Sequence, residues 1–415
     1  MSRACRGEFA STNVLTLILA GGVGKRLRPL TNRRCKPAVP FAGTLRIIDF
    51  TLMNCVSSNL TDIYVLTQYE AESLAEHCEH RWSPPSLSGE THVEMCPPNG
   101  FGPYQGTADA VYKNLKLLRR HKPDVVLILS GDHVYHADYG RFTQHHLERD
   151  ADISVLTANV PAREASSYGV IETADDGRVT RFVEKPADPA PYRRGGQCAI
   201  NLGVYCFRPE FLTEQLLSDA RNETSAHDFG RNVLPSSLRT GNVYSCPLGE
   251  VSPDPEPYWR DVGTIDSLFE AHMDLLRGKF KLTDPRWPEA SPFHHWLPSG
   301  VARGRNLISS QAEIRDARIE DCVISPGAVV EGADLEQCVI FPGARIEKGV
   351  RLRRVIVEDG AIVPAGTVLG FGEDWLQRTT GGVSVFPCKP INTHKMAPSK
   401  RRGNLISTGE AGELL

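Results

Sequence analysis

Gly21, Gly22 and Gly24 follow the apolar run LILA directly and lead into Lys25, Arg26 and Arg28. Glycines let backbone N–H groups approach an anion closely, and the cationic side chains neutralise its charge, so this loop is suited to cradling a phosphate. The loop lacks both the GxxxxGK[ST] pattern of a Walker loop and the dinucleotide GxGxxG fingerprint. Taken alone, a tight turn explains the glycines equally well. Lys36 in CKPAVP follows, then Arg46 in RIIDF. Pro37 restricts the backbone of Lys36, which suits a second phosphate contact, with a solvated lysine as the competing reading.

These residues need elements to hold them. From Val14 to about Leu276, short β-rich apolar runs alternate with longer amphipathic stretches, the pattern of a sheet covered by helices. The predicted strands are residues 15–20, 62–67, 124–130, 153–160 and 202–207. The first and third end in the glycine-bearing turns GGVG and GD, and open α/β sheets bind ligands beyond the carboxyl ends of their strands.

After Asp284 the chain becomes dense in Pro, Ser and Trp, so an α/β domain is expected over 12–282 and a connector over 283–305. Apolar residues then recur every six positions: Val323, Val329 and Leu335; Ile340, Ile346 and Leu352; and, in an overlapping register, Val350, Ile356, Ile362 and Val368. This hexapeptide repeat predicts a parallel β-helix over 306–390, turning at Gly327, Gly343, Gly349, Gly360 and Gly366, with a polar tail over 391–415. A β-sandwich with accidental spacing is the alternative. Because a short β-helix leaves an apolar flank and open ends, a second domain or another subunit is expected to cover them.

Composition removes several functions. The 415 residues carry 47 basic and 50 acidic side chains, a net charge of −3 that offers no broad field for nucleic acid or anionic membrane. No apolar run approaches the roughly 20 residues that span a bilayer, and the N-terminus lacks a signal-peptide apolar region, so a cytoplasmic protein is expected. Eleven scattered cysteines without a CxxC pair read as reduced thiols. HCEH (77–80), HVYH (133–136) and His145 with His146 imitate metal spacing, but none completes a ligand set, and zinc is not expected. Acyl transfer, common among hexapeptide β-helices, generally needs a histidine base, and none occurs between Val301 and Asn392.

LAGGVGKRLRPLT, KPAVPF, RIIDFTLMNC, TQYE, YQGTADAVY, LSGDHVY, YGVIE, FVEKP, AHDFG and YWRDVGT occur in this order. From about Val14 to about Phe386 the chain resembles the nucleotide-sugar pyrophosphorylases, and within them the bacterial glucose-1-phosphate adenylyltransferases. The resemblance implies a Rossmann-like nucleotidyltransferase domain with a mostly parallel mixed sheet, followed by a left-handed β-helix. It also implies a homotetramer, an anionic allosteric effector, and transfer of an adenylyl group from ATP to glucose 1-phosphate with Mg²⁺, with a related nucleotidyltransferase acting on another nucleotide or sugar phosphate, or a non-catalytic regulatory subunit, as the alternatives.

Residue by residue, the resemblance assigns Arg26, Lys36 and Asp132 to catalysis, and Asp132 with Asp261 to the metal. Gly21, Gly22, Gly24, Gln68, Gly106 and Thr107 match nucleotide-binding positions. Tyr104, Gly169, Glu184, Lys185 and Asn201 match the sugar-phosphate site. Glu184 and Lys185 are neighbours, and a regular strand would point them to opposite faces unless Pro186 ends it there. Asn201 stands where the family usually has Ser, which adds bulk. Pro103 replaces a usual Trp, and Arg33, Pro40 and Val23 replace effector-pocket residues of the enterobacterial form, although Arg46 is retained. Arg351 to Arg354 reads as a solvated face, with an effector-binding face as the minority alternative.

Overall fold

The computed structural model describes residues 12–82, 91–98, 102–282, 305–372 and 376–388. The expected tail over 391–415 lies outside them, as does the expected connector apart from Arg305. The N-terminal strands are β1 (Val14–Leu19), β2 (Pro40–Phe41), β3 (Leu45–Arg46), β4 (Asp62–Leu66), β5 (His92–Cys96), β6 (Val125–Ser130), β7 (His133–Tyr135), β8 (Ile153–Pro161), β9 (Gly169–Thr173), β10 (Val179–Glu184), β11 (Gln197–Phe207), β12 (Val243–Pro247) and β13 (Trp259–Asp261). The helices are α1 (Ile48–Ser57), α2 (Glu72–Trp82), α3 (Thr107–Tyr112), α4 (Lys116–His121), α5 (Tyr139–Glu148), α6 (Pro209–Ala220), α7 (Leu234–Ser237), α8 (Leu248–Val251) and α9 (Ile265–Leu276).

Nine strands form one mixed sheet in the order β10-β9-β11-β6-β1-β4-β5, with β8 on β11 and β12 on β8. The pairs β6/β1, β1/β4, β4/β5 and β12/β8 are parallel, whereas β11 runs antiparallel to β6, β8 and β9. The continuous apolar runs of β1 and β6 arise because both faces are covered. Leu127 and Leu129 enter one core, while Val126 and Ile128 alternate into the other. All five predicted strands are present. The last begins earlier than expected, at Gln197, and its ladder to β8 shifts register between Asn201 and Tyr205.

Beyond Arg305, short strands from Leu307–Ile308 to Ser384–Phe386 stack into three parallel sheets, the hexapeptide β-helix. The inward columns are Val330, Ile346 and Val363 on one side and Leu335, Leu352 and Leu369 on another. The six-residue period does not hold from coil to coil. Ile340, Ile346, Leu352, Leu335 and Val350 point inward as expected, but Ile362 and Val368 face outward at 57% and 46% exposure, and Val329 is half-buried. The cause is coil length: Val323 pairs with Val339 and Val339 with Ile356, steps of 16 and 17 residues, so a fixed step of six slips by a position or two per coil.

Val323 and Ile356 are buried for a different reason. With Val339, Phe341 and Val383 they join the hydrophobic core of the N-terminal domain, so this flank of the β-helix is covered by the chain's own second domain. Polar contacts rim the seam. Arg34 pairs with Asp359 at 2.6 Å, Arg354 with Glu270 at 3.0 Å, and Gly381 N donates to Asp266 at 3.1 Å. Among the described residues no helix is long and apolar enough to cross a membrane.

Candidate active site

Asp132 lies just past β6, in the GD turn, and Asp261 ends β13. The antiparallel ladder of β13 with β7 pairs Asp261 with His133, the residue after Asp132. This register brings together a carboxylate from the middle of the domain's sequence and one from near its end. Lys36 sits at the start of a short turn with Pro37 at its second position, almost completely buried, and its Nζ reaches both: 2.9 Å to Asp132 and 2.6 Å to Asp261. Burial opposes the charge on Lys36, but Asp132 and Asp261 outweigh it and hold the ammonium above its usual pKa. Asp132 is half-buried, and although desolvation pushes its carboxyl up, Lys36, His133 and a hydrogen bond from Ser130 Oγ at 2.7 Å keep it well below the usual range.

Arg26 is largely exposed, with its guanidinium 3.9 Å from Asp261, and it hangs over a cavity of about 620 Å³. The cavity is lined by Gly21 to Arg26, Lys36, Gln68, Tyr104 to Thr107, Ser130, Asp132, His133, Asp228, Asp261 and Gly263. That volume suits a small organic ligand. Gly24 adopts φ +62 and its carbonyl accepts from Thr31 Oγ1, while a side chain there would come within 3.0 Å of Lys36 Cβ. Glycine at this point lets the phosphate-type loop close on Lys36.

One wall is a set of loops locked to one another. Gln68 exchanges two hydrogen bonds with the backbone of Tyr104, and the Tyr104 hydroxyl donates to Cys96 O and accepts from Asn114. Thr107 Oγ1 donates to Asp228 and accepts from Phe229 N. Gly106 lies so close to the His227 carbonyl that a Cβ would fall 2.2 Å from it. Tyr104 thus groups in space with Gln68, Gly106 and Thr107.

The other expected sugar-site residues form a second cluster. β10 ends at Glu184, and Lys185 takes the left-handed conformation, φ +47, while its N–H donates to Tyr168 O. The strand objection thus falls away: the turned backbone swings Lys185 Nζ to 3.3 Å from the Glu184 carboxylate. Gly169 pairs with Glu184, and any side chain there would strike the Phe182 ring at 2.5 Å. Asn201 turns inward on its own strand. Its Nδ2 donates to Tyr205 Oη at 2.8 Å and its Oδ1 accepts from Gly203 N at 2.8 Å, which spans the β11 irregularity.

A family model described as nucleotidyl transferase matches residues 15–278, and one described as GlmU-like, C-terminal hexapeptide matches 299–385. The chain is 42% identical to glucose-1-phosphate adenylyltransferase 2 of Alkalilimnicola ehrlichii, over 86% of this chain and 88% of that one. It is 39% identical to the glucose-1-phosphate adenylyltransferase of Nitrosomonas europaea, over 88% and 90%, and 39% to that of Hydrogenovibrio crunogenus, over 86% and 88%. The chain belongs to the glucose-1-phosphate adenylyltransferases.

Within this adenylyltransferase fold, sequence reading left His133, Asp228 and Gly263 without a role. His133 and Asp228 lay in quoted motifs, LSGDHVY and AHDFG, and Gly263 in YWRDVGT, but only the tertiary structure shows that they line the cavity. In the arginine run on the β-helix Arg351 and Arg353 are exposed, as a solvated face requires, whereas Arg354 is drawn into the seam. Arg351 stacks on Phe371, Arg353 pairs with Glu336, and Arg354 is bound to Glu270 and Gly381 O over the ring of Phe269.

Proposed function

We propose that this chain joins ATP and α-D-glucose 1-phosphate into ADP-glucose and diphosphate, the activity named for its relatives, and that the product feeds glycogen or another α-glucan. The observation that carries the mechanism is the Asp132–Lys36–Asp261 group, a buried ammonium between two half-buried carboxylates, in the lining of a cavity that Gly21, Gly22 and Gly24 also line. A phosphate oxygen of the sugar phosphate attacks the α-phosphorus, the bond to the β-phosphate oxygen breaks, and diphosphate leaves. No protein nucleophile is needed, so the residues work by positioning and electrostatics.

In this reading Arg26 and Lys36 hold the triphosphate, with Gly21, Gly22 and Gly24 giving it backbone access. Gln68, Gly106 and Thr107 shape the base side. Glu184 and Lys185 receive the sugar hydroxyls and its phosphate, with Tyr104, Gly169 and Asn201 completing or supporting that site. Asp132 and Asp261 suit Mg²⁺: they offer hard carboxylate oxygens, and ligand atoms of these two and His133 lie within 4.8 Å of one another. Bound there, Mg²⁺ would neutralise charge on the departing diphosphate. A homotetramer and control by an anionic effector belong to the same proposal and rest on family resemblance; cytoplasmic residence and the domain limits 12–282 and 306–390 belong to it as well and rest on the sequence pattern.

The test is direct detection of ADP-glucose from ATP, glucose 1-phosphate and Mg²⁺ with the purified chain. Formation of product with matching diphosphate supports the reading. No product, with or without sugar-phosphate and nucleotide effectors, overturns it.

A further inference from the structure

His145 lies on the inner side of α5, 6% exposed, and neither of its ring nitrogens has a hydrogen-bond partner among the described residues. Its neighbour His146 is served by Ser154, with Nδ1 3.1 Å from the hydroxyl. A buried imidazole with both nitrogens unpaired is rare enough to require an explanation. What faces it is chemically specific. Cys246 is wholly buried on β12, and Glu250 follows on α8, one strand-to-helix turn later and exposed. One ligand atom from each of the three residues lies within 4.8 Å of the others.

We propose that His145, Cys246 and Glu250 form a zinc site, separate from the nucleotide cavity. One soft thiolate and one borderline imidazole beside a hard carboxylate select Zn²⁺ over the oxygen-seeking Mg²⁺. Three protein ligands leave a fourth position for water, on the side where Glu250 meets solvent. Small inward movements bring ligands at this separation to zinc-bonding distance. On binding, a sulfur–zinc bond forms and the Cys246 thiol proton passes to solvent.

The placement gives the ion a structural task. α5 packs against β8 and β12, and α8 is tied to its start by a hydrogen bond from Asp138 N to Val251 O. The ion would clamp the middle of α5 to the same strand and turn, at the outer edge of the sheet. None of the three residues lines the cavity. Sequence spacing concealed the site because His145 and Cys246 are distant in the chain, and α5 meets β12 only once β12 has paired with β8.

The test uses the full-length chain, stripped by chelator and titrated with Zn²⁺ and then with Co²⁺ as a spectroscopic probe. The expected result is stoichiometric Zn²⁺ binding and, with Co²⁺, a thiolate-to-cobalt charge-transfer band that Cys246→Ser abolishes. Cobalt at Asp132 and Asp261 cannot produce this band, because no thiol lies in that group. Glu250→Gln alters an exposed side chain and is expected to fold normally while weakening Zn²⁺ binding at least about 10- to 100-fold, the loss typical of even outer-shell changes. Absence of the band, its survival in Cys246→Ser, or unchanged Zn²⁺ affinity in Glu250→Gln would overturn the proposal.

Discussion

Lys36 Nζ sits 2.6 Å from Asp261 Oδ1 although 225 residues separate them. The contact is possible because β13 is laid antiparallel on β7, and because the glycine loop closes over the turn that carries Lys36. It places one buried cation between two carboxylates, a balance that any one substitution upsets.

Replacing Lys36 with Met removes the ammonium between Asp132 and Asp261 and leaves the Arg26 guanidinium, 3.9 Å from Asp261, as the nearby arginine or lysine charge. Turnover is expected to fall by about 10²- to 10³-fold, the loss typical of removing one preorganised charge-stabilising group. In the parent protein Asp132 is held below the ordinary carboxylate range, so it stays ionised as pH falls through that range. In Lys36→Met its pKa rises, and the acid limb of the kcat/KM profile should move to higher pH. A limb that stays in place would show that Lys36 does not control Asp132.

Gly169 admits no side chain: a Cβ would lie 2.5 Å from the Phe182 ring and 2.9 Å from Glu184 Oε2. Gly169→Ala is expected to displace Glu184 and raise KM for glucose 1-phosphate about tenfold, ~1.4 kcal/mol, with KM for ATP little changed. Equal shifts in both constants would mean that the two ligand groups are not separate.

Asn201 spends both ends of its amide within β11. Asn201→Ser should therefore lower stability in urea by about 1–2 kcal/mol, roughly two ordinary hydrogen bonds. The ranking of sugar phosphates as substrates should stay the same. A changed ranking would show that Asn201 touches the sugar directly.

Asp49 is a buried carboxylate on α1 that accepts from His77 Nε2 at 2.7 Å, Trp82 Nε1 at 2.9 Å and Arg46 N at 2.8 Å. Burial alone would raise its pKa, but His77 and these hydrogen bonds outweigh it and lower it. A depressed carboxylate stabilises the fold above its unfolded value, near ~4, and that contribution disappears as pH falls through the lower folded value. Asp49→Ala should cost about 3–5 kcal/mol at neutral pH, and the difference from the parent should shrink in acid. Urea midpoints measured across that range test both points.

The fold was largely legible because its signals are local. Apolar runs ending in GGVG and GD gave the central strands, and repeated aliphatics gave the β-helix. What stayed hidden depends on three-dimensional register. Counting by six could not reveal that Ile356 faces the other domain while Ile362 faces water, because the coils run 16 and 17 residues. Alternation in a strand put Glu184 and Lys185 on opposite faces, and only the left-handed backbone at Lys185 reunites them. Asp132 and Asp261 were expected to share a metal from motif resemblance, but their meeting rests on the β7–β13 ladder.

The most direct measurement is diphosphate release with Mg²⁺ and glucose 1-phosphate against ATP, GTP, UTP, CTP and dTTP, with Asp132→Asn as the blank. That variant keeps the side-chain shape and removes the charge facing Lys36. The expected result is a strong preference for ATP that the variant abolishes. Equal turnover in the variant, or silence across all five nucleotides, would contradict the assignment of the Asp132–Lys36–Asp261 group as the catalytic centre.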